Sequence, residues 1–138
     1  MSNSEIPPGY EPLFRTSPFL DTTGPYFYKP LNESFVVGML VEPKHANVSG
    51  TVHGGLVATL ADVSLGYATA MSQEPPIRMT TTNLGVNYVG VAKVGDWLEA
   101  KVTVVRVGSR LAFANALITV SGAPVATAQA TFLVVERA

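Results

Sequence analysis

The segment from Gly54 to Met71 constrains the fold of this chain most, because it has the length of a helix but lacks a polar face. Its apolar side chains recur around the whole helical wheel, at Leu56, Val57, Leu60, Val63 and Leu65. Such a helix must be covered by other parts of the protein, and the two prolines of the following "SQEPP" end it. The sequence therefore predicts a buried helix over residues 54–71.

The rest of the chain beyond residue 33 is predicted to be mainly β-structure. Apolar runs bounded by Gly, Pro, Asn and Ser predict strands at 34–42, 79–89, 97–107, 111–121 and 124–135. The short turns "VGSR" and "SGAP" join the last three strands, which favours antiparallel pairing.

Two of these strands carry a column of alanines on one face, at Ala112, Ala114, Ala116 and at Ala126, Ala128, Ala130. Successive side chains of a strand point to opposite faces, so each column lets a bulky element approach the sheet closely. Alternatively, alanine only fills space under any helix. Together with the buried helix, the columns predict an α+β fold in which an antiparallel sheet of five to six strands wraps around one long central helix.

The chain length fits one domain, preceded by an unusual N-terminal segment. Residues 1–33 combine many prolines with aromatic side chains, which excludes a long helix and is unlike a solvated tail. We expect these residues to form an extension packed on a single domain of residues 34–138, with a short helical turn around 11–16.

The composition excludes several classes of function. A net charge of −1 gives no reason to expect nucleic acid or an anionic membrane as partner. The chain has no cysteine and only two histidines, which argues against a metal site. No signal peptide is evident, and Asp62 and Ser64 argue against a membrane span, so a cytoplasmic protein is expected. With 47% hydrophobic and 14% charged residues, we expect apolar surface to be hidden between subunits.

One motif identifies a family. The run "NVSGTVHGGLVATLAD" contains Asn47, then His53-Gly54-Gly55, then Asp62 nine residues past the histidine. This pattern resembles the PaaI-like acyl-CoA thioesterases, and "YVGVAKVGD" and "GSRLAFANALIT" are similar to later segments of that family. The resemblance covers roughly residues 34–135. It implies the hotdog fold and the hydrolysis of an acyl-CoA thioester to free acid and coenzyme A, without a cofactor.

The residues of the motif suit this chemistry. The unpaired backbone N–H groups of Gly54 and Gly55 at a helix N-terminus suit an oxyanion hole. Alternatively, these glycines serve only to let the helix pack closely against the sheet. An unpaired buried carboxylate is costly, so Asp62 should have a catalytic role, as nucleophile or as general base on water, or alternatively be a structural residue hydrogen-bonded to strand hydroxyls or backbone. The resemblance implies that Thr81 orients the water and that Asn47 binds the carbonyl or the water. Asn47 is alternatively an ordinary turn residue.

Helix geometry predicts how the site is shared. Gly54 and Asp62 are eight residues apart, roughly 12 Å along a helix, so one carbonyl cannot contact both. We therefore expect active sites composed of two chains in a homodimer, or a homotetramer built from it. The resemblance implies the same arrangement.

The other candidate residues concern the helix start and the substrate. His53 is expected to cap the helix start or bind a loop carbonyl or, alternatively, to act as a base. Leu56 and Leu60 are candidates for the acyl pocket, which the aromatic extension (Phe14, Phe19, Tyr26) would close at one end unless it only stabilises the oligomer. The cations Lys93, Arg106 and Arg110 are candidates for the coenzyme phosphates, or are solvated turn residues. A non-catalytic acyl-CoA-binding or sensing protein is the alternative function.

Overall fold

The computed structural model describes residues 6–32 and 34–137, so residues 1–5 and 33 of the predicted extension and residue 138 of the predicted domain lie outside it. The elements follow in the order β1 (Glu11–Pro12), α1 (Pro18–Thr23), β2 (Phe27–Pro30), β3 (Phe35–Leu40), a 3₁₀ helix (Pro43–His45), α2 (Gly54–Met71), β4 (Ile77–Tyr88), β5 (Trp97–Val107), β6 (Leu111–Val120) and β7 (Ala123–Arg137).

All the strands belong to one antiparallel sheet, in the order β1-β2-β3-β5-β6-β7-β4. Helix α2 connects β3 to β4, which lies at the far edge and pairs with β7. A tight turn joins β6 to β7, as the "SGAP" sequence predicted, and Ser121 and Gly122 both have positive φ in it.

The core lies between α2 and the concave face of the sheet. Both alanine columns are at most 7% exposed and lie side by side, with Ala114 opposite Ala130 and Ala116 opposite Ala128. Leu60, Ala61 and Leu65 of α2 are fully buried in the same cluster as these alanines. The prediction that small side chains let the helix approach the sheet is therefore confirmed.

The predicted burial of α2 on all sides is wrong for the single chain. One face of the helix is buried, whereas the other is only half-buried and consists of Ala58, Thr59, Asp62, Val63, Gly66, Tyr67 and Ala70. Asp62 is therefore half-buried rather than enclosed. The sheet curves around one side of the helix and leaves the opposite side for other contacts.

The N-terminal segment differs most from the prediction. The helical turn expected around 11–16 is absent, since Glu11–Pro12 is a strand and the helix lies at Pro18–Thr23, where Ser17 caps it and proline occupies the first position. Strands β1 and β2 extend the sheet to seven strands, rather than the five to six expected. At Gly38 a Cβ would lie 2.5 Å from the Trp97 ring, so glycine is what allows this ring to cross β3.

Elsewhere the predicted boundaries hold within two residues, and those of α2 and β5 are the predicted ones. Within the ranges 6–32 and 34–137, no helix combines the length and hydropathy needed to cross a membrane.

Candidate active site

The start of α2 leaves one backbone N–H group unpaired. His53 is the N-cap, and its Nδ1 accepts a hydrogen bond from the Gly55 N–H at 2.9 Å. The N–H groups of Leu56 and Val57 donate to the His53 carbonyl. Within the described chain the Gly54 N–H has no acceptor. Of the two glycines predicted to form an oxyanion hole, only Gly54 thus has an N–H free for a ligand.

Each glycine at this helix start has a steric neighbour. A Cβ on Gly55 would lie 3.2 Å from His53 Nδ1, so glycine lets the imidazole fold back onto the helix. A Cβ on Gly54 would lie 3.4 Å from the Tyr88 ring, and the Tyr88 hydroxyl donates to the Gly54 carbonyl at 2.6 Å. Sequence reasoning missed Tyr88, although it belongs to the "YVGVAKVGD" segment that carries the family resemblance.

Asn47 organises the loop that precedes the helix. Its Oδ1 accepts hydrogen bonds from Ser49 N and Thr51 N, and its Nδ2 donates to Thr51 Oγ1 at 2.9 Å. The predicted alternative of a turn asparagine therefore describes its contacts correctly. The side chain is exposed, and its second Nδ2–H has no acceptor within the described chain. Asn47 can hold the loop and still donate to a ligand.

The side chains of Asp62 and Thr81 lie side by side. The Thr81 hydroxyl donates to Asp62 Oδ1 at 2.8 Å, which joins the middle of α2 to the edge strand β4. No other described residue bonds to this carboxylate, so Oδ2 is free. Thr81 thus holds the carboxylate in place through Oδ1, and Oδ2 can accept a proton or form a bond.

This pair lies on a cavity of about 600 Å³ that runs along α2. Helix residues Asp62, Val63, Gly66, Tyr67, Ala70 and Met71 line it, as do Pro76 to Met79, Thr81 and Phe132. The N-terminal segment supplies Phe14, Arg15, Ser17 and Leu20. Of the aromatic residues expected to close the pocket, Phe14 lines it, whereas Phe19 is 60% exposed and Tyr26 is buried.

The predicted acyl-pocket leucines lie elsewhere. Leu60 is fully buried in the core and lines neither this cavity nor the next. Leu56 lines a second cavity of about 350 Å³ beside the start of α2, together with His53 and Lys44. Hydrophobicity alone does not distinguish a leucine that faces the sheet from one that faces a ligand.

The predicted cations lie at opposite ends of the sheet. Lys93 is exposed beside the start of α2, where its backbone pairs with Thr51. Arg106 and Arg110 are exposed at the other end, around the turn between β5 and β6. The cavity that holds Asp62 has two arginines that were not predicted, Arg15 and Arg78. No sequence motif surrounds either of them.

The other histidine has a structural position that was also not predicted. His45, at the end of the 3₁₀ helix before α2, is 4% exposed. Its Nδ1 accepts from the Glu42 N–H, and its Nε2 bonds to the Thr23 carbonyl at 2.6 Å. His45 thereby ties α1 to the loop before α2. Among the described residues, no group of three or more His, Asp or Glu side chains could hold a metal ion.

Comparison with known proteins gives consistent matches. A family model described as the thioesterase superfamily matches residues 49–127. The chain is 48% identical to the putative esterase PA0474 of Pseudomonas aeruginosa, across 92% of this chain and 96% of that protein. It is 34% identical to acyl-coenzyme A thioesterase 13 of Mus musculus, across 60% and 59% of the two chains. The crystal structure of zebra fish thioesterase superfamily member 2 superposes with a TM-score of 0.78 at 29% identity, and 86% and 88% of the chains are covered.

Proposed function

The chain belongs to the thioesterase superfamily, and we propose that it hydrolyses acyl-CoA thioesters to a free acid and coenzyme A. Family membership and the hotdog fold, both predicted from the sequence, are confirmed. The acyl-CoA substrate rests on the resemblance of the motif and on the similarity to an acyl-coenzyme A thioesterase.

The Asp62 carboxylate on the 600 Å³ cavity is the observation that carries this proposal. Thr81 occupies Oδ1, so Oδ2 acts on the substrate in one of two ways. It attacks the acyl carbon, expels the coenzyme thiolate and forms an anhydride that water then cleaves. Alternatively, it takes a proton from a water whose oxygen attacks the carbon, and that proton goes to the departing thiolate.

The start of α2 supplies the opposite half of the reaction. In both routes the thioester carbonyl oxygen becomes negatively charged in the transition state. The free Gly54 N–H and the partial positive charge of the helix N-terminus stabilise that charge, and the exposed Asn47 amide adds a second donor. Loss of one such donor costs about 2.7–4 kcal/mol in enzymes where it has been measured.

The two halves belong to different chains in our proposal. Gly54 and Asp62 are separated by roughly 12 Å along one helix, too far to act on one carbonyl. The half-buried face of α2 is mostly small and apolar, which suits contact with a second copy of the helix. A two-fold axis that sets the helices antiparallel brings Gly54 of one chain to Asp62 of the other. A tetramer of two such dimers satisfies the same requirement.

The positions of the cations suit this arrangement. If the two-fold axis brings one end of one sheet next to the opposite end of the other, Lys93 of one chain lies at the same end of the dimer as Arg106 and Arg110 of the other chain. We propose these residues as contacts for the coenzyme phosphates, for which Arg and Lys are the usual partners. Arg15 and Arg78 are nearer to the acyl cavity than to the start of α2.

The test replaces the carboxylate while keeping its shape. Asp62→Asn should lower kcat by about 10²–10⁴-fold for acetyl-CoA or a longer acyl-CoA, since the amide is neither a base nor a nucleophile. Binding of coenzyme A should change little, because the cavity keeps its volume. The control Asp21→Asn removes an exposed carboxylate of α1 that does not line the cavity and should leave kcat unchanged. Full hydrolysis by Asp62→Asn would contradict the mechanism, and a wild-type protein that binds acyl-CoA without hydrolysing it would support the non-catalytic alternative.

A further inference from the structure

Gly66 occupies a position where glycine is unfavourable for the fold. It lies inside the 18-residue helix α2, more than a turn from either end. Glycine destabilises a helix interior relative to alanine, because it loses more backbone freedom on folding. Its presence there requires a reason other than helix formation.

Neither backbone conformation nor packing supplies that reason. Gly66 is not among the glycines with positive φ, so alanine can adopt its conformation. A Cβ built on Gly66 would come no nearer to a neighbouring atom than 3.9 Å, at Phe132 Cε1, which is ordinary van der Waals contact. By comparison, a Cβ on Gly38 would overlap the Trp97 ring. The single chain therefore has room for a methyl group at residue 66.

That room belongs to the cavity that holds Asp62. Gly66 lines it one helical turn from Asp62, roughly 6 Å along the axis. The Cα–Cβ bonds of a helix tilt toward its N-terminus, so a methyl group on residue 66 would project along the cavity toward the carboxylate. Phe14, another lining residue of the cavity, packs edge-to-face against Tyr67 at 5.4 Å and against Phe35 at 5.6 Å, which helps to hold its ring in place.

We propose that Gly66 is a specificity-determining residue that sets the width of the acyl pocket about one helical turn from the reacting carbonyl. The bare Cα admits an acyl group with a branch or a ring at that distance, whereas a narrow or very short acyl group does not use the space. This inference rests on the proposed hydrolysis of acyl-CoA, and it concerns the preference among substrates rather than the chemical step.

The experiment compares substrates on a single variant. Wild type and Gly66→Ala are assayed with acetyl-CoA, 3-methylbutanoyl-CoA and benzoyl-CoA, and thermal unfolding is measured for both. One extra or missing methylene in an apolar pocket changes the ratio of kcat/KM between two substrates about 10–200-fold. We expect kcat/KM of Gly66→Ala to fall at least about 10-fold for the two wide substrates and less than about 3-fold for acetyl-CoA. The unfolding temperature should rise or stay the same, because alanine favours the helix.

A control variant distinguishes an effect of cavity width on activity from an effect of helix propensity. Ala68→Gly lies on the buried face of the same helix, outside both the cavity lining and the half-buried face, and alters helix propensity without adding atoms, so the substrate ratio should stay that of wild type. Equal losses for all three substrates in Gly66→Ala would overturn the inference and indicate that residue 66 packs against another chain. Unchanged kcat/KM for all three would overturn it too, because the added methyl group would then not meet the acyl group. Absence of hydrolysis by the wild type with every substrate would instead overturn the proposed function.

Discussion

At the scale of single residues, two adjacent threonines of β4 have different partners. The Thr81 hydroxyl donates to Asp62, whereas the Thr82 hydroxyl donates to the Thr131 carbonyl of β7 at 3.1 Å. Both side chains are exposed, and valine has the same shape as threonine without the hydroxyl. The pair therefore offers a test of a positioning residue with a matched control.

Thr81→Val should lower kcat by about 10–100-fold, because the carboxylate loses the donor that holds Oδ1 and orients Oδ2; removal of a hydrogen bond that supports a metal ligand has an effect of about this size. Thr82→Val should leave kcat within about two-fold, since its hydroxyl contacts only the sheet. Steady-state kinetics of both variants, with unfolding temperatures to check the fold, provide the measurement. Equal losses in the two variants would show that strand β4, rather than the Thr81 hydroxyl, matters for activity.

The predicted catalytic residues other than Thr81 share one property, which is a fixed spacing along one short segment. Asn47, His53, Gly54 and Asp62 all lie in the loop and helix of that motif. Arg15 reaches the cavity from the loop between β1 and α1, and Tyr88 reaches Gly54 from the end of β4, and a single sequence does not reveal such contacts between distant residues. Periodicity also could not separate Leu60, on the buried face, from Gly66, on the cavity face, because α2 has no polar side to orient it.

At the scale of elements, helix α2 depends on how its first turn is capped. His53 accepts from the Gly55 N–H through Nδ1, which satisfies one of the N–H groups that a helix start leaves open. The sequence left two roles for this histidine, cap or base. Asparagine is a strong N-cap residue but not a base at neutral pH, so it distinguishes the two roles.

His53→Asn should keep most of the activity and change the free energy of unfolding by less than about 0.5 kcal/mol, because the cap is preserved. His53→Ala should lower the free energy of unfolding by about 0.5–2 kcal/mol through loss of the cap. Denaturant unfolding and steady-state hydrolysis of both variants provide the comparison. A loss of more than about 100-fold in kcat for a stable His53→Asn would instead assign His53 to acid-base chemistry.

The elements that sequence predicted well are those with a strong local pattern. The boundaries of α2 follow from its glycines and the prolines after it, and the long strands from their alternation. The N-terminal strands are different, because β1 is two residues long and exists only through pairing with β2. A strand whose hydrogen bonds all depend on a distant partner has little pattern of its own, and the prolines of this segment obscured it further.

At the scale of the whole molecule, the half-buried face of α2 and the roughly 12 Å between Gly54 and Asp62 lead to the same expectation. Both are explained if two chains pair and each completes the other's site. This arrangement can be tested by mixing two variants that are each inactive for a different reason. Asp62→Asn removes the carboxylate, and a second variant must remove the Gly54 N–H without disturbing the helix.

Gly54→Pro is suited to that purpose. Proline lacks the N–H and is favoured at the first position of a helix, and His53 already has the extended conformation, φ −66° and ψ 137°, that a residue before proline requires. Gly54→Ala keeps the N–H and serves as the control for added bulk beside Tyr88. We expect Gly54→Pro to fold and to lose about 10²–10³-fold in kcat, as for loss of one oxyanion donor, and Gly54→Ala to retain most of the activity.

Mixing the two inactive variants, Asp62→Asn and Gly54→Pro, under conditions that exchange subunits should then restore activity. In a mixed dimer, one site combines the intact Gly54 of the first chain with the intact Asp62 of the second, and the other site carries both substitutions. Random exchange makes about half of the dimers mixed, so hydrolysis should recover to about a quarter of the wild-type rate. Each variant exchanged with itself should stay inactive. If both halves of a site came from one chain, every site in the mixture would keep one defect, and no recovery would be seen.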